Sequence, residues 1–174
     1  MMNKTLSLGR CKLKYTLLDK TVVLIEATEK ESDVSLNITT ETFGVQIDQG
    51  VGDYESRTNI SEAKLTASFG IDKELLPKLC SAYEKGTGDG IAIDGIGKVT
   101  TVGALEVHPI EMGTDKSMDI NVPKAWCKVD ASISYKKDGK ALVTAEFNFA
   151  TDMKEDSVTY GKLLTIGEYV KSDS

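Results

Sequence analysis

Two segments of alternating apolar and polar residues, 34–48 and 58–70, constrain the fold more than any other feature of this chain. In both segments the apolar residues repeat every two positions, which is typical of a strand buried on one face. They are Val34, Leu36, Ile38, Phe43, Val45 and Ile47 in the first segment, and Ala63, Leu65, Ala67 and Phe69 in the second. A glycine-rich, acidic stretch joins the two, so the sequence predicts one long β-hairpin.

The opposite face of this hairpin is polar along both arms. Its residues are Ser35, Asn37, Thr39 and Glu41 on the first arm and Glu62, Lys64, Thr66 and Ser68 on the second. Arms of about a dozen residues would reach about 40 Å, further than a small core extends. Unpaired strand edges promote aggregation unless another chain covers them, and a closed ring of identical copies removes them. We therefore expect sister subunits to complete the hairpin.

The first arm changes the parity of its apolar positions midway. They fall on even residue numbers up to Ile38 and on odd numbers from Phe43 onward. A strand cannot change faces without an extra residue or a twist, so the sequence predicts a β-bulge near 39–42, or else different surroundings for the two halves of the arm. In the bend, 49–53, Gly50 and Gly52 provide a permissive backbone for a flexible turn.

Length and composition indicate a globular chain with a core of its own. At 174 residues, with 40% hydrophobic and 28% charged residues, the chain fits a single domain spanning 1–174. Its apolar runs are shorter than the roughly 18 residues that a membrane-spanning helix needs, so we expect no membrane anchor. Charges interrupt the apolar residues of segment 1–14, which argues against a signal peptide.

Cysteine spacing indicates the compartment in which the chain is made, and net charge indicates which partners it can bind tightly. Cys11, Cys80 and Cys127 are widely separated and odd in number, so we expect reduced, buried thiols and synthesis in a cytosol. The formal net charge is -6. Tight binding of nucleic acid through its phosphates needs clustered lysine and arginine, and this balance argues against it.

The remaining pattern predicts a mainly β fold of the α+β type with one helix. Strands are expected at 5–18 and 21–28, separated by a turn at Asp19 and Lys20. Asp72 is a plausible N-cap, and Gly86 a plausible stop, for a short helix whose regular part begins at about Leu76 or Pro77. The apolar face of this helix would comprise Leu75, Leu76, Leu79, Cys80 and Tyr83.

The second half of the chain reads as strands and loops. Segment 86–97 is rich in glycine and predicts a loop with an irregular strand around Ile91 and Ile93. A strand at 99–107 would end at His108 and Pro109, and a polar loop would follow at 113–118. An Asp138-Gly139 turn predicts a hairpin with arms 126–135 and 141–151, and a last strand is expected at 161–166. The inward set of the hairpin is Cys127, Val129, Ala131, Ile133, Tyr135, Val143, Ala145, Phe147 and Phe149.

Catalytic, cofactor and metal sites are not predicted. His108 is the only histidine and has no evident acidic partner in the sequence, so a structural role is expected. The glycine-rich stretches at 86–90 and 95–98 do not match a phosphate-binding loop. Two acidic segments, 29–33 and 152–156, are expected to be solvated loops. Neither these loops nor the acids around the bend have the spacing of a glycosidase pair or a calcium loop. Trp126 is expected to be a core or interface anchor.

The alternating hairpin carries a family resemblance. Segment 34–50, continuing through 59–69 and the leucine-rich helix with Glu74, Leu75 and Leu76, resembles the tail tube (major tail) proteins of tailed bacteriophages. The segments 139–150 and 165–167 resemble the closing hairpin and final strand of that family. Segment 86–120 departs from the family pattern.

The resemblance implies a β-sandwich or barrel-like domain with one flanking helix and a long protruding hairpin. Such subunits form hexameric rings that stack into a hollow tube, through which double-stranded DNA passes without specific binding. The polar face of the hairpin would then face the lumen or a neighbouring subunit. The whole bend from Asp48 to Arg57 would be a loop that contacts the next ring, and the candidates for that contact are Asp48, Gly50, Gly52, Asp53, Glu55 and Arg57.

The resemblance also implies partners and a location. The partners would be other copies of the chain, the tape measure protein, the tail terminator protein and, in a contractile tail, a sheath. The mature location would be the virion tail, after synthesis in the cytoplasm of a bacterial host. Three other functions stay open: the inner tube subunit of a contractile injection or bacteriocin particle, a monomeric β-sandwich that binds carbohydrate or protein, and an enzyme.

Overall fold

The computed structural model describes residues 2–29, 34–46, 53–70, 72–88, 90–95, 100–130 and 142–171. The described part is mainly β, as predicted, with one α-helix and one turn of 3-10 helix at Ile110–Met112. In chain order the elements are β1 (Met2–Ser7), β2 (Cys11–Leu17), β3 (Val22–Ile25), β4 (Ser35–Gln46), β5 (Asp53–Gly70), α1 (Leu76–Leu79), β6 (Tyr83–Lys85), β7 (Ile91–Ile93), β8 (Val102–Pro109), β9 (Ile120–Asp130), β10 (Leu142–Phe149) and β11 (Thr165–Ile166).

Nine of these strands form one antiparallel sheet. Its order is β1-β4-β5-β10-β9-β8-β2-β3, and β11 pairs with the beginning of β9. The strands β6 and β7 form a separate two-stranded sheet. Since β4 and β5 pair directly and β5 also pairs with β10, the predicted hairpin is part of the main sheet at its base.

The core lies on one face of this sheet. Every second residue is buried there in β8 and β10, from Cys11 to Tyr15 in β2 and from Ala63 to Phe69 in β5, which is the period that the sequence pattern predicts. Tyr15 of β2 packs against Phe147 of β10 edge to face, with ring centroids 5.3 Å apart. Because β8 and β9 separate these two strands in the sheet, the sheet must curve until its inner face closes over the core.

The backbone makes close approaches where the sheet curves. Gly103 of β8 lies so near β2 that a Cβ atom there would be 2.4 Å from the carbonyl oxygen of Thr16. Gly9, between β1 and β2, has a φ of +65°, which favours glycine. This glycine divides the predicted strand 5–18 into β1 and β2, so the prediction of one continuous strand was wrong.

The helix is shorter than the sequence suggested. α1 begins at Leu76 with Pro77 in its first turn, as predicted, but it ends at Leu79 because Cys80 has an extended backbone. Asp72 caps the turn before the helix instead, since its carboxylate accepts a hydrogen bond from the Glu74 amide at 2.8 Å. Tyr83, predicted on the helix, begins β6.

The other differences between the predicted and observed folds concern where strands begin and end. β8 continues through His108 and Pro109, which pair with Lys12 and Cys11 of β2, although we expected the strand to stop before them. β11 comprises only two residues, not six. The pairing of β9 with β10 confirms the second hairpin, and β9 begins six residues earlier than predicted, at Ile120. The Asp138-Gly139 turn, with Ala131, Ile133 and Tyr135, lies outside the described residues.

Candidate interaction surface

The base of the β4–β5 hairpin brings the predicted polar residues together on one face. Ser35 pairs with Thr66, Asn37 with Lys64 and Thr39 with Glu62. Glu62 is exposed, and the other predicted members of the set are half-buried. On the opposite face Leu36, Ala63, Leu65, Ala67 and Phe69 are buried in the core. The base therefore has one buried apolar face and one polar face, which we call the wet face.

Neighbouring strands extend the wet face. Thr5 of β1 donates a hydrogen bond to the side-chain oxygen of Asn37 at 2.6 Å. On the other side, the hydroxyl groups of Ser68 and Thr144 of β10 are 3.0 Å apart. The polar face thus crosses four strands, β1, β4, β5 and β10, and its side chains bond to one another from strand to strand.

One lysine on this face lies between two carboxylates. The Lys64 ammonium group is 3.1 Å from a Glu62 carboxylate oxygen and 3.5 Å from one of Glu146. The hydrogen bond from Lys64 to Glu62, followed by the attraction of Glu146, raises the pKa of Lys64. Lys128 of β9 lies directly opposite Glu146, so this part of the wet face carries lysines and carboxylates side by side.

A bulge separates the base of the hairpin from its distal half. Thr39 pairs with Glu62, but the next residue, Thr40, pairs with Ile60, so Ser61 is an extra residue on the second arm. The Ser61 hydroxyl donates a hydrogen bond to the Thr39 carbonyl at 3.3 Å. The bulge predicted near 39–42 is confirmed, and its extra residue belongs to the opposite arm.

Because the first arm runs on without an extra residue, Phe43 lies on the same face as the polar residues of the base. The distal half of the hairpin, 40–46 with 53–60, exposes its apolar side chains. Phe43 and Ile60 are each 52% exposed, whereas Leu65 at the base is completely buried. The predicted inward position of Phe43 was therefore wrong. The side chain of Val45, and Ile47 altogether, lie outside the described residues.

Within the described part of the chain, no third strand pairs with the outer edges of the distal half. β1 pairs with β4 only as far as Thr40, and β10 pairs with β5 only as far as Lys64. Beyond these residues the segments 41–46 and 53–62 pair with each other alone. Two rows of backbone donors and acceptors are thus available for a further strand.

A groove lies between this distal half and the C-terminal region. It has a volume of about 670 Å³, and its apolar lining comes from Ile38, Ile60, Leu163 and Leu164. Its polar lining comes from Thr58, Asn59, Thr151 and Lys162. The exposed side of Ile60 is therefore part of a larger apolar concavity.

The predicted contact set around the bend is placed only in part. Asp48, Gly50 and Gly52 lie outside the described residues. Asp53, Glu55 and Arg57 lie in β5, which starts at Asp53 and not near residue 58, so their assignment to a loop was wrong. Arg57 is exposed opposite Phe43.

Two titratable groups have partners that the sequence did not reveal. His108 Nδ1 lies 2.5 Å from an Asp119 carboxylate oxygen, eleven residues away, so the expectation that it lacks an acidic partner was wrong. Asp152, predicted in a solvated acidic loop, is buried. It accepts hydrogen bonds from the Thr159 hydroxyl at 2.7 Å and the Lys154 amide at 3.1 Å. Hydrogen bonds from Ser157, Thr159 and Lys154 lower the pKa of Asp152.

The other candidate residues have simpler surroundings. Cys11 and Cys127 are buried and Cys80 is half-buried, all as free thiols, and burial raises the pKa of Cys127. Trp126 is 37% exposed and pairs with Asn148 on the outer side of the sheet, so it is not a core residue.

Among the described residues, no three His, Cys, Asp or Glu side chains could hold a metal ion together. The helices in that part of the chain are too short to cross a membrane.

No protein-family model and no curated protein matches this sequence. The geometry of the β4–β5 hairpin is therefore the basis on which a function can be inferred.

Proposed function

We propose that this protein is the structural subunit of a phage or prophage tail tube, in which six copies form a ring and rings stack into a hollow tube for double-stranded DNA. The observation that carries the proposal is the distal half of the β4–β5 hairpin. Its edges at 41–46 and 53–62 pair only with each other within the described residues, and Phe43 and Ile60 are half exposed. A strand from a sister subunit would satisfy those edges and cover those side chains.

The wet face of the hairpin suits the wall of a DNA channel. Its side chains are mostly neutral and polar, and the ammonium group of Lys64 lies beside the carboxylates of Glu62 and Glu146. At a formal net charge of -6 per chain, six copies would carry -36. A wall with few free cations would not hold phosphates, so DNA could move past it without stalling.

The groove beside Ile60 gives the assembly a second contact. Its lining combines the apolar side chains of Ile38, Ile60, Leu163 and Leu164 with polar residues, as protein interfaces combine apolar and polar contacts. We infer that a neighbouring copy fills it. The tape measure protein, the terminator protein and a sheath would meet the finished tube and not the single subunit.

Sedimentation velocity across a range of concentrations tests this proposal. The wild-type chain should convert from an 18.9 kDa monomer into species of six chains and larger. Ile60→Glu places a charge in the apolar groove and should hold the chain as a monomer. Leu18→Glu is the matched control, because Leu18 is 82% exposed on the turn between β2 and β3, and this variant should assemble like the wild type.

Two results would contradict the proposal. One is a wild-type chain that stays monomeric at every concentration, which would favour a monomeric ligand-binding module. The other is an Ile60→Glu variant that assembles as readily as the Leu18→Glu control, because the distal half of the hairpin would then have no part in assembly.

A further inference from the structure

The single histidine lies between two hydrogen-bond acceptors. Its Nδ1 atom is 2.5 Å from the Asp119 carboxylate, and its Nε2 atom is 2.9 Å from the carbonyl oxygen of Gly113. A neutral imidazole carries only one N–H group, so it can donate to only one of these oxygens. The doubly protonated imidazolium can donate to both. The arrangement around His108 therefore favours the protonated ring.

The same few residues hold the last strand of the fold. The carbonyl oxygen of Asp119 accepts a hydrogen bond from the Gly167 amide at 2.8 Å. Gly167 has a φ of +68°, and a Cβ atom there would lie 2.8 Å from the carbonyl oxygen of Ser117. Directly beside this contact, Thr165 and Ile166 of β11 pair with Asn121 and Ile120. The loop that His108 fixes is thus the loop on which β11 is docked.

We propose that His108 is a proton switch that controls how firmly the C-terminal strand β11 is attached to the sheet. When the ring is protonated, it ties the Asp119 carboxylate and the Gly113 carbonyl to β8, and the 113–119 loop is held in place for Gly167. When the proton is lost, one of the two hydrogen bonds is lost with it. The loop then loosens, and β11 detaches more often.

Charged groups on each neighbouring element act on the ring. Lys12 lies directly opposite on β2 and disfavours the charged imidazolium, and Lys14 of the same strand is paired with Glu106 of β8 at 2.8 Å. The 113–119 loop contributes Asp115, Lys116 and Asp119, and Glu26, which follows β3, lines the same concave surface as His108. The hydrogen bond to Asp119, followed by that to Gly113, outweighs Lys12 and raises the pKa of His108.

The sign of the pH dependence follows from this raised pKa. The stabilisation by protonated His108 is complete below the ordinary pKa of 6.5 and is lost as the pH rises through the higher value in the folded protein. β11 is therefore firmly attached at acidic pH and detaches more often at neutral and alkaline pH. This inference does not depend on ring or tube assembly.

Hydrogen–deuterium exchange of the full-length chain, measured by mass spectrometry between pH 5.5 and 9, tests the switch. Exchange at the C2 position of the only histidine reports its titration midpoint, which should lie above 6.5. As the pH rises through the same midpoint, the protection of a peptide covering 163–171 should fall, after correction for the intrinsic rate of amide exchange. A peptide covering β10, 142–149, is the internal reference and should keep its protection.

The rise in the histidine midpoint and the loss of protection of the 163–171 peptide must agree in size. If opening returns His108 to its ordinary pKa, the loss of protection equals the increase in proton affinity, about tenfold for each pH unit by which the midpoint is raised. His108→Gln should make the 163–171 protection independent of pH. Asp115→Asn, which keeps an oxygen for the Ser117 amide, is the control and should retain the transition.

Three results would overturn the proposal: a histidine midpoint at or below 6.5, a 163–171 peptide whose protection does not change across the midpoint, or a His108→Gln variant that retains the transition. Each of these can occur whether or not the wild-type chain forms rings. The proton switch and the tube can therefore fail separately.

Discussion

The two halves of the β4–β5 hairpin share one backbone architecture but differ in what covers them. At the base, Leu65 is completely buried, and β1 and β10 flank the two arms. Beyond the bulge at Ser61, Ile60 is 52% exposed, and the outer edges pair with no other strand in the described part of the chain. An alternating pattern therefore identifies the strands of a hairpin without identifying the surface that will bury them.

The bulge is the boundary between the two halves. It leaves the first arm regular and adds one residue to the second, so that Ile60 and Phe43 project where the domain offers little cover. We interpret the base as the part that stabilises the single chain and the distal half as the part that joins chains. Three changes in the hairpin would break or sharpen this division, and a fourth, in β8, tests the close packing of the sheet that supports the base.

Leu65→Ala should have the largest effect on the single chain. Truncating a completely buried leucine removes apolar contacts and leaves a cavity, which costs about 2–5 kcal/mol of unfolding free energy. Urea denaturation of dilute protein measures this loss. A loss below about 1 kcal/mol would mean that the base is not part of the stabilising core.

Gly103→Ala should have the next largest effect, because the new Cβ atom would meet the Thr16 carbonyl at 2.4 Å and force β8 away from β2. Overpacking of this kind costs about 1–3 kcal/mol. Gly95→Ala is the control, because its Cβ atom would meet open space. Equal denaturation midpoints for the two variants would refute the close approach.

Ile60→Ala is the distal counterpart of Leu65→Ala and should change the unfolding free energy of the dilute chain by no more than about 0.5 kcal/mol, since the side chain is half exposed. Its effect should appear instead as a higher protein concentration at the midpoint of assembly. If the variant is as unstable as Leu65→Ala, the distal half already packs within its own chain.

Deletion of Ser61 should have the smallest effect on the single chain, because every paired residue keeps its partner and only the bulge is lost. The local twist should decrease, which would misdirect the distal half and weaken assembly. Circular dichroism measures the effect on the single chain, and sedimentation of the same sample measures assembly. Assembly identical to the wild type would show that the bulge does not set the direction of the distal half.

Periodicity was sufficient to predict much of the fold. The two-residue spacing placed Leu65, Phe69 and Phe147 in the core. The parity change in the first arm marked the point where the surroundings of the hairpin change, although the extra residue of the bulge, Ser61, lies on the second arm. These succeed because a strand alternates faces whatever surrounds it. The split of the first strand at Gly9 and the end of the helix at Leu79 were missed, because a positive φ and an extended Cys80 are set by tertiary packing and not by local preference.

The site was less predictable than the fold. The polar face of the base was found because its residues alternate with buried ones, and the register places them side by side. The contact between His108 and Asp119 was not found, since a loop turns Asp119 back toward the strand that carries His108. The exposure of Phe43 was not found either, because the pattern cannot specify which face of the distal half meets the core.

Electron microscopy of the concentrated wild-type protein tests the central claim most directly. The account predicts rings of six copies stacked into a hollow tube, with segments 41–46 and 53–60 of each copy lying between neighbouring subunits and the Lys64 face toward the channel. Particles containing a single copy, with Phe43 and Ile60 packed against their own domain, would contradict it.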